Sequence, residues 1–292
     1  MSFEVLKSLL QERILLLDGA MGTMIQRHGL GEGDFRGEEF TNWGCELNGC
    51  NDILAITKPE ILSDIHRQYL AAGADIITTC SFNAHPVSLK DYGLESRSYD
   101  IARAAAEVAR AVADEFTLSN PTKRRWVAGS MGPTNRTASI SADVENPAAR
   151  EVNFDQLVEG YTIQLNGLLD GGADIILIET IFDSLNAKAA LYAIDYVGEE
   201  RGRVIPTMAS GTIADASGRI LAGQSVEAMY NSLSHAKLIS VGLNCAFGAR
   251  QMMPYLEQLA AIAGCAVSAH PNAGLPNVMG GYYETPEMFA DD

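Results

Sequence analysis

The 292-residue sequence lacks any apolar run of the ~18–20 residues that a transmembrane helix needs. Its first residues, Met1 to Glu12, carry Glu4 and Lys7 between apolar side chains, so they do not form the uninterrupted apolar core of a secretory signal. Positive charge is scarce, with 21 lysines and arginines against 37 aspartates and glutamates and a formal net charge of −16. This charge repels nucleic-acid phosphates and anionic lipid surfaces, so we predict neither nucleic-acid nor membrane binding.

Cysteine is scarce as well. Five cysteines, an odd number, are scattered along the chain, which argues against a disulfide framework and favours reduced thiols in the cytoplasm. No His-x-His or Cys-x-x-Cys pair occurs, so the sequence shows no self-sufficient metal site. The cysteines are Cys45, Cys50, Cys80, Cys245 and Cys265.

What the sequence does contain is a regular alternation of short apolar runs with longer stretches of helical periodicity. Strands that are apolar on both faces and alternate with helices are typical of parallel βαβ units. The predicted strands are Ile14–Leu17, Asp75–Thr79, Trp126–Ala128, Asp174–Ile178, Val204–Ala209, Leu238–Leu243 and Ala266–Ala269. The predicted helices are Pro59–Ala72, Glu95–Phe116, Phe154–Leu169, Leu185–Val197, Val226–His235, Arg250–Ala263 and a helix start at Pro286–Asp292.

An internal repeat and the strand count favour a barrel. Gly-Ala-Asp-Ile-Ile occurs at Gly73–Ile77 and again at Gly172–Ile176, which predicts two equivalent corners where a glycine ends a helix. A doubly wound sheet is the competing architecture, but Asp18–Thr23 does not have its Gly-x-Gly-x-x-Gly turn. We predict one α/β domain over residues 1–292, a (β/α)8 TIM-type barrel that is incomplete, with about seven strands present and the eighth strand and last helices missing.

In such a barrel the functional groups gather at the carboxyl ends of the strands. Asp18 and Glu179 follow two of the predicted strands and place two carboxylates at one mouth. They fit either a general acid/base pair or a site for a cation such as an amino-acid ammonium. The alternative is that Asp18 caps a turn and Glu179 pairs with a neighbouring arginine.

Other strand ends carry further candidates. Gly19 and its neighbouring glycines allow backbone N–H groups to approach a carboxylate or phosphate closely. Cys245 is either a small buried apolar side chain or, because it ends a strand at the mouth, a functional thiol. His270 fits a base, a ligand or a structural histidine. No lysine ends a predicted strand, which argues against Schiff-base chemistry.

At seven places the sequence resembles the homocysteine S-methyltransferase family. The similarity begins at about Ile14 and continues to the end of the chain, and the Gly132–Ser139 and Asp215–Arg219 segments resemble the cobalamin-dependent methionine synthase branch most closely. The similar motifs are Asp18–Met24, Gly73–Thr79, Gly132–Ser139, Ile178–Thr180, Ser210–Ile213, Gly242–Ala246 and Ala269–Pro276.

The resemblance implies a barrel in which three cysteine thiolates hold a zinc ion that binds the homocysteine sulfur. It assigns Cys245 as the first ligand and places the other two in an adjacent Cys-Cys pair after the eighth strand, a pair that this chain does not contain. It also implies that Asp18, Gly19, Glu179 and Asn244 bind homocysteine, with the two carboxylates on the ammonium and the amides near Gly19 on the carboxylate. Ala20 stands where the family often has a second glycine.

By the same resemblance, methylcobalamin on a separate module would donate the methyl group, and the full-length enzyme would add cobalamin-binding and folate-binding modules. The expected reaction forms methionine in the cytoplasm. Two alternatives remain: a catalytically incompetent fragment or non-catalytic amino-acid-binding scaffold, and a different barrel enzyme that binds a pterin or phosphate. Because two strand edges would be unpaired, we also predict that this chain is poorly stable alone.

Overall fold

A computed structural model describes residues 2–215, 217–274 and 284–292. Six parallel strands form one curled sheet in the order of the sequence, β1-β2-β3-β4-β5-β6, and helices flank it. This is an incomplete TIM-type α/β barrel, as predicted. The strands are β1 Ile76–Thr78, β2 Trp126–Met131, β3 Ile175–Ile181, β4 Thr207–Gly211, β5 Leu238–Asn244 and β6 Ala266–His270.

Twelve α-helices occur in these ranges, and they include all seven predicted ones within a few residues of the expected bounds. The helices are α1 Ser2–Glu12, α2 Met21–Gln26, α3 Glu32–Arg36, α4 Leu54–Thr57, α5 Pro59–Ala72, α6 Pro86–Leu89, α7 Ser98–Ser119, α8 Phe154–Asp170, α9 Ser184–Glu200, α10 Val226–Leu233, α11 Ala249–Ile262 and α12 Pro286–Asp291. Short 3₁₀ turns occupy Asn51–Ile53, Lys90–Tyr92 and Glu95–Arg97.

The first predicted strand, Ile14–Leu17, differs from the prediction. It forms only a single parallel bridge, between Leu17 and Ile76. The main-chain oxygen of Leu16 accepts hydrogen bonds from Asp75 and Ile76, so the segment lies where a strand beside β1 would lie. It has a paired neighbour on one side only, and Ile14 is 83% exposed, which explains why the strand is so short.

Local sequence signals set the helix ends. Pro59 starts α5 at a position where its missing N–H costs nothing. Asn153 and Gln156 form a capping box at the start of α8, in which each side chain accepts a hydrogen bond from the other's main-chain N–H. Gly73 (φ 118°) and Gly172 (φ 98°) follow the last turns of α5 and α8 in the left-handed conformation that glycine adopts without strain. The two predicted equivalent corners are therefore present.

The repeated motif also explains how neighbouring strands are joined at their N-terminal ends. The Asp75 carboxylate accepts the main-chain N–H of Leu16 at 2.9 Å and pairs with Arg13 at 2.8 Å. The Asp174 carboxylate accepts the N–H of Val127 at 3.0 Å in the same way. Each aspartate thus bonds its own strand to the one before it, on the side of the sheet away from the mouth.

Two cores fill the molecule. The larger one lies between the sheet and the surrounding helices, where α7 and α8 pack closely. A smaller one, which contains Trp126, Leu177 and Met208 from neighbouring strands, is covered by Leu6 of α1. The inner side of the sheet is therefore packed with apolar side chains near the N-terminal ends of the strands, which leaves the carboxyl ends for polar groups. Within the described ranges, no helix is both long and apolar enough to cross a bilayer.

Candidate functional site

Asp18 lies at the carboxyl end of the first segment, directly beside the end of β1. Its carboxylate is buried and accepts two hydrogen bonds from Thr78, one from the main-chain N–H at 2.7 Å and one from the hydroxyl at 3.0 Å. Burial is the main cause that raises the pKa of this carboxyl to about 7; the charge of Glu179 acts in the same direction, and the bonds from Thr78 act against both. The structure therefore holds Asp18 in fixed geometry but at a cost to its ionised form.

Glu179 lies near the end of β3, where the register with β4 shifts between Ile178 and Ile181. Such an irregularity redirects side chains at the end of a strand. The Glu179 carboxylate accepts a hydrogen bond from the Ser130 hydroxyl at 2.5 Å, and burial raises its pKa. In the described ranges, neither Glu179 nor Asp18 pairs with a lysine, arginine or histidine, so the alternative of a Glu179–arginine pair is not observed.

Asn244 ends β5 and connects three strand ends. It is almost fully buried, and its side-chain oxygen accepts hydrogen bonds from the Thr180 main-chain N–H at 3.0 Å and the Ser210 hydroxyl at 2.6 Å. Its side-chain nitrogen donates to the Thr180 hydroxyl at 2.8 Å. Protein partners therefore use most of the hydrogen-bonding capacity of the Asn244 side-chain amide. Through these bonds Asn244 holds β3, β4 and β5 together.

Cys245 follows Asn244 and lies at the mouth, not in the packed interior. It is exposed, and its main-chain N–H donates to the carbonyl of His270 at 3.1 Å. Although the residue as a whole is exposed, surrounding atoms withdraw its thiol from water and raise its pKa; a hydrogen bond with Asn244 lowers the pKa and the charge of Glu179 raises it. Cys245 and Asp18 therefore both lie within electrostatic reach of Glu179.

Two residues at this mouth have a strained main chain. Thr180 (φ 58°) and Cys245 (φ 55°) are the non-glycine residues with positive φ in the described part of the chain. The left-handed conformation costs roughly 1–2 kcal/mol for a residue with a Cβ atom. Both residues contact Asn244, so a single side chain holds both strained positions.

Gly19 is exposed, and the structure gives a steric reason for glycine at this position. A Cβ atom at this position would lie 3.0 Å from the ring and the hydroxyl oxygen of Tyr69. The Tyr69 hydroxyl donates to the main-chain oxygen of Ala20 at 3.2 Å. Ala20 itself is exposed at the start of α2.

The structure brings together Asp18, Glu179, Asn244 and Cys245. His270 also lies beside Cys245, at the end of β6, where burial lowers its pKa. Sequence reasoning assigned no individual role to the residues that support this group: Thr78, Ser130, Thr180, Ser210 and Tyr69. Four of them end a strand and could have been found as polar residues in apolar runs, whereas Tyr69 lies on α5 and looked like part of an apolar helix face.

Among the residues that the structure describes, no group of three or more His, Cys, Asp or Glu side chains is arranged to hold a metal ion. The 275–283 segment, which lies outside the described residues, contains none of these four residue types. Part of the predicted Ala269–Pro276 motif falls in that segment.

Comparison with known proteins identifies the family and the fold of the chain. The family model for homocysteine S-methyltransferase matches residues 15–292. The homocysteine methyltransferase MmuM from Escherichia coli in its metallated form has a TM-score of 0.73 and 22% identity, over 98% of this chain and 91% of that chain. Its apo form gives a TM-score of 0.69 at 22% identity, over 98% and 90% of the two chains. At this identity the structural similarity shows the fold alone.

Proposed function

Because the chain belongs to the homocysteine S-methyltransferase family, we propose that its mouth binds homocysteine as the acceptor of a methyl group, the substrate part of a cobalamin-dependent methionine synthase. The observation that carries this proposal is a pair of carboxylates, Asp18 and Glu179, that are drawn together without a protein cation in the described ranges. Two such groups are costly unless a cation joins them.

An amino-acid ammonium fits that requirement. It carries a positive charge and three donors, which match the two carboxylates better than a neutral ligand would. Thr78 and Ser130 orient the two carboxylates before the ligand arrives, because each donates to an oxygen of its partner. A bound ammonium would also lower the pKa of Asp18 from about 7 and keep it ionised.

The thiol end of homocysteine would point toward Cys245. The charge of Glu179 acts on both Asp18 and Cys245, which supports placing the ammonium site and the cysteine at the same mouth. We assign the substrate carboxylate to the N–H groups of the Gly19 turn, which follows Asp18 directly in the chain.

Zinc does not fit this chain as a complete site. Cys245 would supply one thiolate, but the described residues contain no group of three or more His, Cys, Asp or Glu side chains that could hold a metal ion. A zinc ion held by three thiolates, when present, would favour the homocysteine thiolate over the thiol. We therefore derive no step through zinc, and keep methylcobalamin, the cobalamin-binding module and the folate-binding module as partners implied by the Gly132–Ser139 and Asp215–Arg219 motifs.

The proposal is tested by calorimetric titration of the purified chain with homocysteine. We expect saturable binding that weakens at least about tenfold in Asp18→Asn and in Glu179→Gln, since each variant removes one charged acceptor from the ammonium. Asp195→Asn, at an exposed carboxylate on α9, is the matched control and should bind as the unmodified chain does.

Titration with inorganic phosphate separates the second candidate, a pterin- or phosphate-binding barrel. Binding of phosphate with no response to homocysteine would contradict the proposal. Metal analysis bears on the third candidate, a non-catalytic scaffold. We expect well below one zinc ion per chain for the 292-residue protein. One tightly held zinc ion per chain would show that other residues replace the two cysteines of the Cys-Cys pair.

A further inference from the structure

Tyr69 lies on the last turns of α5, and its side chain reaches the turn that carries Asp18. The hydroxyl donates to the main-chain oxygen of Ala20 at 3.2 Å, and the ring fills the space beside Gly19, where a Cβ atom would lie 3.0 Å away. The side chain is neither fully buried nor fully exposed. Its contacts are therefore with the turn at the mouth as well as with the core.

We propose that Tyr69 is the positioning residue of the substrate turn, which it holds so that Asp18 and the Gly19 main chain face one ligand. The inference rests on the proposed function for what that ligand is, but the contacts with Gly19 and Ala20 are independent of it.

The turn is held from two sides. Thr78 bonds to the Asp18 carboxylate from β1, and Tyr69 bonds to Ala20 and packs on Gly19 from α5. Without Tyr69, the turn would keep the bonds at Asp18 and the bond of 3.4 Å from the Met24 N–H to the Ala20 oxygen, but it would lose the side chain that packs on Gly19. Because a ligand's ammonium and carboxylate must be met at the same time, a small rotation of this turn would separate the two contacts.

The electrostatics agree with this position. Burial raises the pKa of the Tyr69 hydroxyl, the negative charge of Asp18 raises it further, and the positive charge of Arg27 lowers it. The hydroxyl therefore lies within reach of both the carboxylate at the start of the turn and the guanidinium that follows α2.

The contact with Gly19 also makes a specific prediction about pairs of substitutions. In Gly19→Ala the new methyl group meets the Tyr69 ring, so either the ring or the turn must move by a few tenths of an ångström. In Gly19→Ala/Tyr69→Ala the same methyl group meets the space that the ring has left. The cost of the alanine at position 19 should therefore depend on Tyr69.

The experiment measures homocysteine affinity by calorimetry in the full chain. We expect about fivefold weaker binding in Tyr69→Phe, which loses only the hydroxyl, and at least about tenfold in Tyr69→Ala. Gly19→Ala should cost about tenfold alone but less than about twofold in the Tyr69→Ala background. The melting temperature of Tyr69→Phe should stay close to that of the unmodified chain, and Tyr196→Phe, at an exposed tyrosine on α9, should change nothing.

Unchanged affinity in both Tyr69 variants, or an equal cost of Gly19→Ala in both backgrounds, would overturn the inference. If the unmodified chain does not bind homocysteine at all, the proposed function fails. The positioning role of Tyr69 is then tested separately, by amide hydrogen exchange of residues 18–22. Faster exchange there in Tyr69→Phe and Tyr69→Ala, but not in Tyr196→Phe, supports the positioning role; equal exchange in all chains contradicts it.

Discussion

Asp18 is a residue whose site opposes its own ionisation. Burial raises the pKa to about 7, whereas the same group in an unfolded chain titrates at about 3.9. Folding therefore favours the protonated form, and the free energy of unfolding falls as pH rises from about 4 to 7, with no further loss above that range. Binding a cation would recover part of this stability.

Asp18→Asn should separate stability from binding. The amide cannot ionise, so the variant should be more stable than the unmodified chain at pH 8, by up to a few kcal/mol, and similar to it at pH 4. Denaturant unfolding at the two pH values measures this. Greater stability of the unmodified chain at pH 8 would show that the Asp18 carboxylate is stabilised in the folded state.

Asn244 should be as important for stability as for the site. Asn244→Ala leaves the Thr180 N–H and the Ser210 hydroxyl without their partner, and the loss should be about 3 kcal/mol because buried unpaired polar groups cost about 1–3 kcal/mol each. The measurement is the free energy of unfolding in urea, with Asn231→Ala, at an exposed position on α10, as the control. Equal effects of the two substitutions would contradict the role given to Asn244.

At the residue scale the sequence identified the groups that follow strands but not what holds them. Asp18, Glu179 and Cys245 could be predicted because the carboxyl ends of parallel strands meet at one mouth. Tyr69 could not, because an aromatic residue on an apolar helix face is most often part of a core. Its distance from the turn depends on how α5 packs, which no local pattern encodes.

At the scale of elements, close contact between α7 and α8 depends on glycine. A Cβ atom at Gly167 would lie 2.5 Å from the main-chain oxygen of Tyr99 and 3.0 Å from the Cβ atom of Ala102. Main chain cannot give way as a flexible side chain can, so the two helices would have to separate. Both helices also pack against β2.

Gly167→Ala should therefore destabilise the chain by more than about 2 kcal/mol, despite the gain of about 1 kcal/mol that alanine usually brings to a helix. Gly33→Ala is the matched control, since Gly33 also lies in a helix and a Cβ atom there would have no neighbour within 4 Å. Thermal unfolding of both variants measures the difference. A neutral Gly167→Ala would mean that α7 and α8 do not approach as closely as described.

The long helices from α5 onward, and the strands after them, were predictable from their periodicity, whereas α1 (Ser2–Glu12) was not predicted. The segment from Met21 to Thr57 was not, because its short helices and turns have no repeating apolar pattern. The strand at Ile14–Leu17 was predicted too long, since its composition suits a strand but only β1 pairs with it. Which strands pair with a segment is determined by the tertiary structure and cannot be predicted from the sequence of that segment alone.

At the scale of the whole molecule, the sheet is open in its described part. Leu17 bridges only to β1, and β6 pairs only with β5. Apolar side chains are exposed at both edges, where Leu16 is 54% and Val267 is 37% exposed. The low stability expected for the chain alone remains a prediction, and light scattering at rising protein concentration would detect association of these edges.

The central claim is that homocysteine binds with its ammonium at Asp18 and Glu179 and its sulfur beside Cys245. Disulfide exchange with homocystine tests it most directly. The Cys245 thiolate attacks one sulfur, a mixed disulfide with homocysteine forms, and the second homocysteine leaves as a thiolate. Cys45, the other exposed cysteine, is the internal control, and hydroxyethyl disulfide is the control reagent without an ammonium group.

The measurement is the rate of modification at each cysteine by mass spectrometry. We predict that homocystine modifies Cys245 faster than Cys45 and that Asp18→Asn removes this preference. Hydroxyethyl disulfide should show no preference for Cys245, because burial raises the pKa of the Cys245 thiol and so lowers its thiolate fraction. Equal modification of Cys45 and Cys245 by homocystine, or a preference for Cys245 that survives in Asp18→Asn, would contradict the account.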